Sequence, residues 1–101
     1  MIRLSPRAVR HITNLRDHYE ALGRDAAILN LANVLEEAAA RIQANPADGL
    51  PAPRPYPLLA KHGRLWLRVK DYWIVYTTAA PSSIVGVFYE TANIPQHLRA
   101  P

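Results

Sequence analysis

The sequence predicts an α+β domain: a short N-terminal strand and a two-helix antiparallel hairpin packed on a three- to four-stranded antiparallel sheet. Three observations carry that prediction. Apolar residues recur at helical spacing only before Asn45, sustained two-residue alternation begins only after Gly63, and five prolines (Pro46, Pro51, Pro53, Pro55, Pro57) separate the two regimes. Charge divides the same way. Up to Leu50 six arginines balance six acids, whereas from Pro51 onward six basic residues face only Asp71 and Glu90. A helical layer of balanced charge and a cationic sheet that attracts an anionic partner follow from that division.

Ile2 and Leu4 flank Arg3 with the alternation of a short strand. Ser5 can cap a helix start, and Pro6 suits the first helical position, where a missing N–H costs nothing. Ala8, Ile12, Leu15, Tyr19 and Leu22 then fall on one helical face, and Gly23 supplies a left-handed C-cap. A second helix follows with Asp25 near its start, a stripe of Ile28, Leu31/Ala32, Leu35, Ala38/Ala39 and Ile42, and an end at Asn45-Pro46. So short a turn makes the two helices an antiparallel hairpin, and the alanines allow a close approach to the next layer.

The prolines forbid helix and central strand alike, so the segment reads as a stiff crossover in preference to a polyproline ligand. Arg64 to Lys70 alternates Leu65, Leu67 and Val69 with Arg64, Trp66, Arg68 and Lys70, one face aliphatic and the other cationic. Asp71 marks a turn, Tyr72 to Thr78 reads as a second strand of a meander, and Ala79 to Ser83 turns again. Ile84 to Tyr89 is the third strand, apolar on both faces, with Gly86 where side-chain bulk is costly.

At 101 residues the whole chain, 1–101, is expected to be one domain. The absence of Cys excludes disulfides and thiolate metal sites, and the charged, proline-interrupted start is unlike a signal peptide. The expectation is a cytoplasmic protein whose net charge of +4 favours nucleic acid or an acidic protein as partner.

Three stretches carry a family resemblance. Leu4-Ser5-Pro6-Arg7-Ala8 opens the first helix, Leu67-Arg68 followed by Tyr72-Trp73-Ile74-Val75-Tyr76 forms a central hairpin, and Tyr89-Glu90-Thr91-Ala92-Asn93-Ile94-Pro95-Gln96-His97-Leu98 closes the chain. In this order they resemble the RelE/ParE superfamily of bacterial toxin–antitoxin toxins, the last stretch resembling its ParE branch. The resemblance implies the toxin of a type II, plasmid-stabilising module, held inactive by a cognate ParD-like antitoxin in a hetero-oligomer.

Two mechanisms are implied, neither using a cofactor or metal. A ParE-like toxin traps DNA gyrase on cleaved DNA and breaks no bond itself; Arg64, Trp66, Arg68, Lys70, Tyr89 and His97 are then the candidate contacts to target or antitoxin. A RelE-like toxin cuts messenger RNA on the ribosome, and without a metal its cations must neutralise the phosphate while other side chains move protons. Lys61, Arg64, Arg68 and Tyr89 would be that catalytic set, with His62 nearby. The third strand lacks the further basic residue such nucleases carry, which favours the gyrase reading. A basic module of the same fold without toxicity is the third possibility.

Each candidate has a plainer role. Alternation alone makes Arg68 a solvated outward residue, and Tyr89 can simply pack at a strand end. Trp66 and Trp73 suit core or partner packing better than base stacking. His11, His18, His62 and His97 lack metal-ligand spacing and read as surface or edge histidines. The antitoxin is expected to cover Arg64, Arg68 and Lys70 and some outer apolar residues of the hairpin by charge steering and burial.

Overall fold

The computed structural model describes residues 2–52 and 59–89. Strand β1 (Arg3–Leu4) leads into helices α1 (Pro6–Ala21) and α2 (Asp25–Ala44), followed by strands β2 (Arg64–Val69), β3 (Tyr72–Thr77) and β4 (Ser83–Tyr89). These form one sheet in the order β1-β4-β3-β2. The β2–β3–β4 meander is antiparallel, but β1 pairs with β4 in parallel, Arg3 against Ser83 and Leu4 against Ile84. Only the meander is therefore antiparallel as expected. The long helical crossover frees β1 from the antiparallel geometry that short turns impose.

The helix ends follow from their sequence. Ser5 Oγ accepts from the Ala8 N–H at 3.1 Å, with Pro6 opening the helix. At the other end Gly23 takes φ +66°, its N–H donates to the Glu20 carbonyl, and the Arg24 N–H reaches back to the Tyr19 carbonyl. That is a Schellman closure, which requires a residue comfortable in the left-handed region. Asn45 ends α2 and its Oδ1 accepts from the Ala47 N–H at 3.2 Å.

Three rows across the sheet face the helices. Leu65, Tyr76 and Ile84 form one row, Leu67, Ile74 and Val87 the next, and Val69, Tyr72 and Tyr89 the third. Ala8 and Tyr19 of α1 and Leu31, Val34, Ala38 and Ile42 of α2 complete this core. Two stripe assignments need correction. Leu22 is 57% exposed because it lies at the C-cap, outside the helical packing face. Ala32 is exposed while Val34 is fully buried, so the stripe of α2 runs Leu31–Val34–Ala38–Ile42.

The opposite face holds a second, aromatic cluster of Trp66, Trp73, Val75 and Phe88. A register shift between Val75 and Tyr76 leaves Val85 and Gly86 to span one step of β3. This bulge explains why β4 is apolar on both faces, since the inward–outward phase changes at that point. A Cβ on Gly86 would lie 2.6 Å from Val75 Cγ1 and 2.9 Å from Phe88 Cε2. Gly86→Ala is therefore expected to cost about 1–3 kcal/mol by overpacking, a loss that a denaturant midpoint with unchanged m-value would register.

Specific groups cap β2, and β4 where it runs beyond β1. On β2 the outward-facing Trp66 N–H and C=O pair with Leu50 at 2.7 and 2.6 Å, and Arg41 Nη1 donates to the Arg68 carbonyl at 3.2 Å. Arg41 is itself held by Asp48 at 3.4 Å and Glu37 at 3.9 Å. On β4 the Val87 N–H donates to His11 Nδ1 at 3.2 Å, and the His11 ring lies 4.7 Å from that of Phe88. Such capping removes the backbone template that an open edge presents.

Candidate functional site

Two concavities lie on opposite sides of the sheet. The first is a groove of about 580 Å³ where the start of α1 meets the entry to β2. Arg7 comes from the first turn of α1, and Lys61 and Arg64 from the approach to β2 and its first residue. Beneath them Leu59, Val75 and Val85 provide an apolar floor, with Trp66 closing it from below. Among the described residues no carboxylate lines this groove, and none lies within ion-pair distance of its three cations.

Trp66 is only 2% exposed, its ring 5.9 Å from that of Phe88 with an interplanar angle of 27°. It is a packed base for the groove and offers no free ring face, which narrows its expected part as a contact residue to shaping the floor. Trp73 is likewise buried. The face expected to be cationic is thus aromatic at its centre and cationic at its margins.

Arg68 and Lys70 sit at the other end of β2, outside the groove. The exposed Arg68 guanidinium lies 5.6 Å over the Trp73 ring, and its Nε donates to the Lys70 carbonyl at 2.6 Å. Its cross-strand partner is Trp73, which explains the stacking. Lys70 turns the chain at φ +52°, a conformation that side chains other than Gly, Asn or Asp seldom adopt. The β2–β3 turn therefore holds a lysine in a strained position, presented to solvent.

The second concavity, about 890 Å³, opens between the helical hairpin and the far end of the sheet. Tyr19, Tyr72 and Tyr89 line it together with Arg24, Asp25 and Asp71. The Tyr19 and Tyr72 hydroxyls share a hydrogen bond of 2.5 Å, and the Tyr89 ring meets Tyr72 edge-on at 5.4 Å. Arg24 lies 5.9 Å over the Tyr19 ring. Burial, reinforced by the Tyr19 hydrogen bond, pushes the Tyr72 phenol well above its ordinary value. The mixed charges and shared hydroxyl make this a polar cleft, unlike the single-sign groove.

The expected candidates therefore do not converge. Lys61 and Arg64 share the groove, Arg68 and Lys70 lie at the opposite end of β2, and Tyr89 belongs to the tyrosine cleft on the helical side. His97 and the closing stretch after Tyr89 lie outside the described residues, as do Pro53, Pro55 and Pro57. Sequence reading passed over Arg7 as a groove residue, because its partners are more than fifty residues away and local periodicity assigns it only to a helix start. It also missed the Tyr19–Tyr72 pair and the edge-capping role of His11. Among the described residues no group of three or more His, Asp or Glu side chains could hold a metal, and no helix is long and apolar enough to cross a membrane.

Residues 2–89 match the family model described as the ParE toxin of the type II toxin–antitoxin system parDE. The chain belongs to the ParE toxin family. The match covers both helices and all four strands, so the groove and the tyrosine cleft lie within the ParE domain. No curated protein matches the chain. ParE-family toxins partner with a cognate antitoxin, and the groove cations, which have no carboxylate partner among the described residues, provide one place where an acidic partner is electrostatically favoured.

Proposed function

We propose that the protein is the toxin of a toxin–antitoxin pair in the cytoplasm, that it poisons DNA gyrase, and that its cognate antitoxin neutralises it. The family match over residues 2–89 carries this reading. The separation of Tyr89 from Lys61 and Arg64 supports the part without bond-breaking chemistry. Metal-independent RNA cleavage requires proton-moving and charge-neutralising groups within hydrogen-bond reach of one phosphate. Four side chains divided between two faces of a sheet do not meet that requirement. A gyrase poison needs only a shaped surface, and the groove margin, Arg68 over Trp73, and the strained Lys70 turn provide one.

Expression of the chain alone in bacteria is expected to arrest growth and induce the response to broken DNA, and co-expression of its antitoxin to relieve both. Growth arrest with intact DNA and messenger RNA cut within translated codons would assign the toxin to ribosome-dependent cleavage. Unimpaired growth with folded protein would leave a binding module of the ParE fold.

A further inference from the structure

We infer that the Arg7–Lys61–Arg64 groove is the seat of an acidic peptide segment that inserts a bulky apolar side chain against Leu59 and Val85. Resting on the toxin reading above, its natural occupant is a segment of the antitoxin. Three features of the groove lead there. Its charges are all of one sign and drawn from two distant parts of the chain, Arg7 from α1 and the other two from the entry to β2. None of the three has a carboxylate within ion-pair distance among the described residues, so an incoming acid displaces none of the described side chains. The floor is aliphatic, with Leu59 and Val85 half-buried, and burying it requires an apolar group from the partner.

The same geometry disfavours nucleic acid. Single strands are held by bases stacking on exposed aromatic faces beside a basic track. Here Trp66 is 2% exposed and already packed with Phe88, so the described lining has cations without a stacking platform. A phosphate chain would satisfy the cations and leave the half-buried Leu59 and Val85 wet. Docking by strand addition along β2 is also blocked, since Leu50 occupies both outward backbone groups of Trp66 and Arg41 takes the Arg68 carbonyl. The partner therefore approaches the face of the sheet, through its side chains.

The test measures fluorescence anisotropy of the full chain with three labelled probes at low and high salt. One probe is a Glu-rich peptide carrying Leu and Phe, the second has Ser in place of those apolar residues, and the third is single-stranded oligothymidylate. The first is expected to bind at least about tenfold more tightly than the other two, with affinity falling as salt rises. Arg7→Glu and Arg64→Glu should each weaken it by about tenfold, while Arg10→Glu and Arg16→Glu, exposed on α1 outside the groove, change it by less than about twofold. Lys61→Glu, at an exposed loop position, carries the test should a strand or helix variant fail to fold.

Equal sensitivity to all four arginine variants would overturn the proposal, as would tighter binding of oligothymidylate through the same residues. Loss of peptide preference in a chain that still arrests growth removes the groove assignment alone. A chain that binds the peptide as described without arresting growth removes the toxin reading and keeps the peptide site.

Discussion

Tyr76→Ala is expected to remove about 3–5 kcal/mol of folding stability, a large part of what a domain of this size possesses. Tyr76 is fully buried near the end of β3, and its hydroxyl extends beyond the sheet to the segment that follows α2. That hydroxyl donates to the Pro46 carbonyl at 2.7 Å and accepts from the Gly49 N–H at 3.1 Å. One side chain thus fills the core and fastens the departing chain to the sheet. A Cβ on Gly49 would approach the same hydroxyl at 2.8 Å, so the fastening leaves no room for a side chain there. Tyr76→Phe separates the two contributions. It keeps the ring and removes the hydroxyl from the half-buried Gly49 N–H and the exposed Pro46 carbonyl, which costs about 0.5–1.5 kcal/mol. Denaturant titration of both variants checks the result, and a Phe variant as unstable as the Ala variant would show that the hydroxyl, not the packing, dominates.

The second large effect is alkaline. In the folded chain the Tyr72 phenol is raised by burial and by its hydrogen bond to Tyr19, and burial raises Tyr76 as well. Unfolded tyrosines ionise near pH 10. Above that pH the unfolded state releases these protons while the folded state retains them, so the unfolded state binds fewer protons and stability falls as pH rises. The loss approaches about 1.4 kcal/mol per pH unit for each group held neutral. Below the unfolded value the same groups impose no pH dependence.

Tyr72→Phe should be less stable than the parent at neutral pH, because Tyr19 loses its partner. The gap should then narrow above about pH 10, where the parent loses stability through Tyr72 and the variant does not. Tyr19→Phe combined with Tyr72→Phe should recover part of the single-variant loss, since no buried hydroxyl remains unpaired. A gap between parent and Tyr72→Phe that stays constant through the alkaline range would contradict this account.

How much of this was readable beforehand depended on distance along the chain. Ser5-Pro6, Gly23 and Asn45 act within four residues of themselves, and their caps were legible as such. Gly86 was legible as a place without room, although the bulge that crowds it is a property of β3 and β4 together. The parallel pairing of β1 was not, because two residues carry no directional preference until the sheet exists. Val34 was missed because both Val34 and Leu35 approximate the helical stripe, and only the packed sheet decides which is fully covered.

The candidate site divided along the same line. Lys61 and Arg64 are near neighbours in sequence and remain so in the groove. Arg7 reaches that groove across the sheet, as Tyr19 reaches Tyr72 across 53 residues, and no periodicity connects either pair. Alternation placed Arg64, Trp66 and Arg68 correctly on one face, yet it could not foresee that Phe88 and Val75 would bury the tryptophan between them. The cationic face expected from sequence is therefore two cationic ends divided by an aromatic floor, and only one end forms a groove.

The toxin reading is tested most directly by incubating purified gyrase and supercoiled plasmid with the folded full-length chain at rising concentration, then scoring linear DNA after denaturing the enzyme. Linear plasmid is predicted to accumulate with toxin dose and to disappear when the cognate antitoxin is added first. Plasmid that stays intact at saturating protein, with gyrase active in the control, would contradict gyrase poisoning by this member of the ParE family.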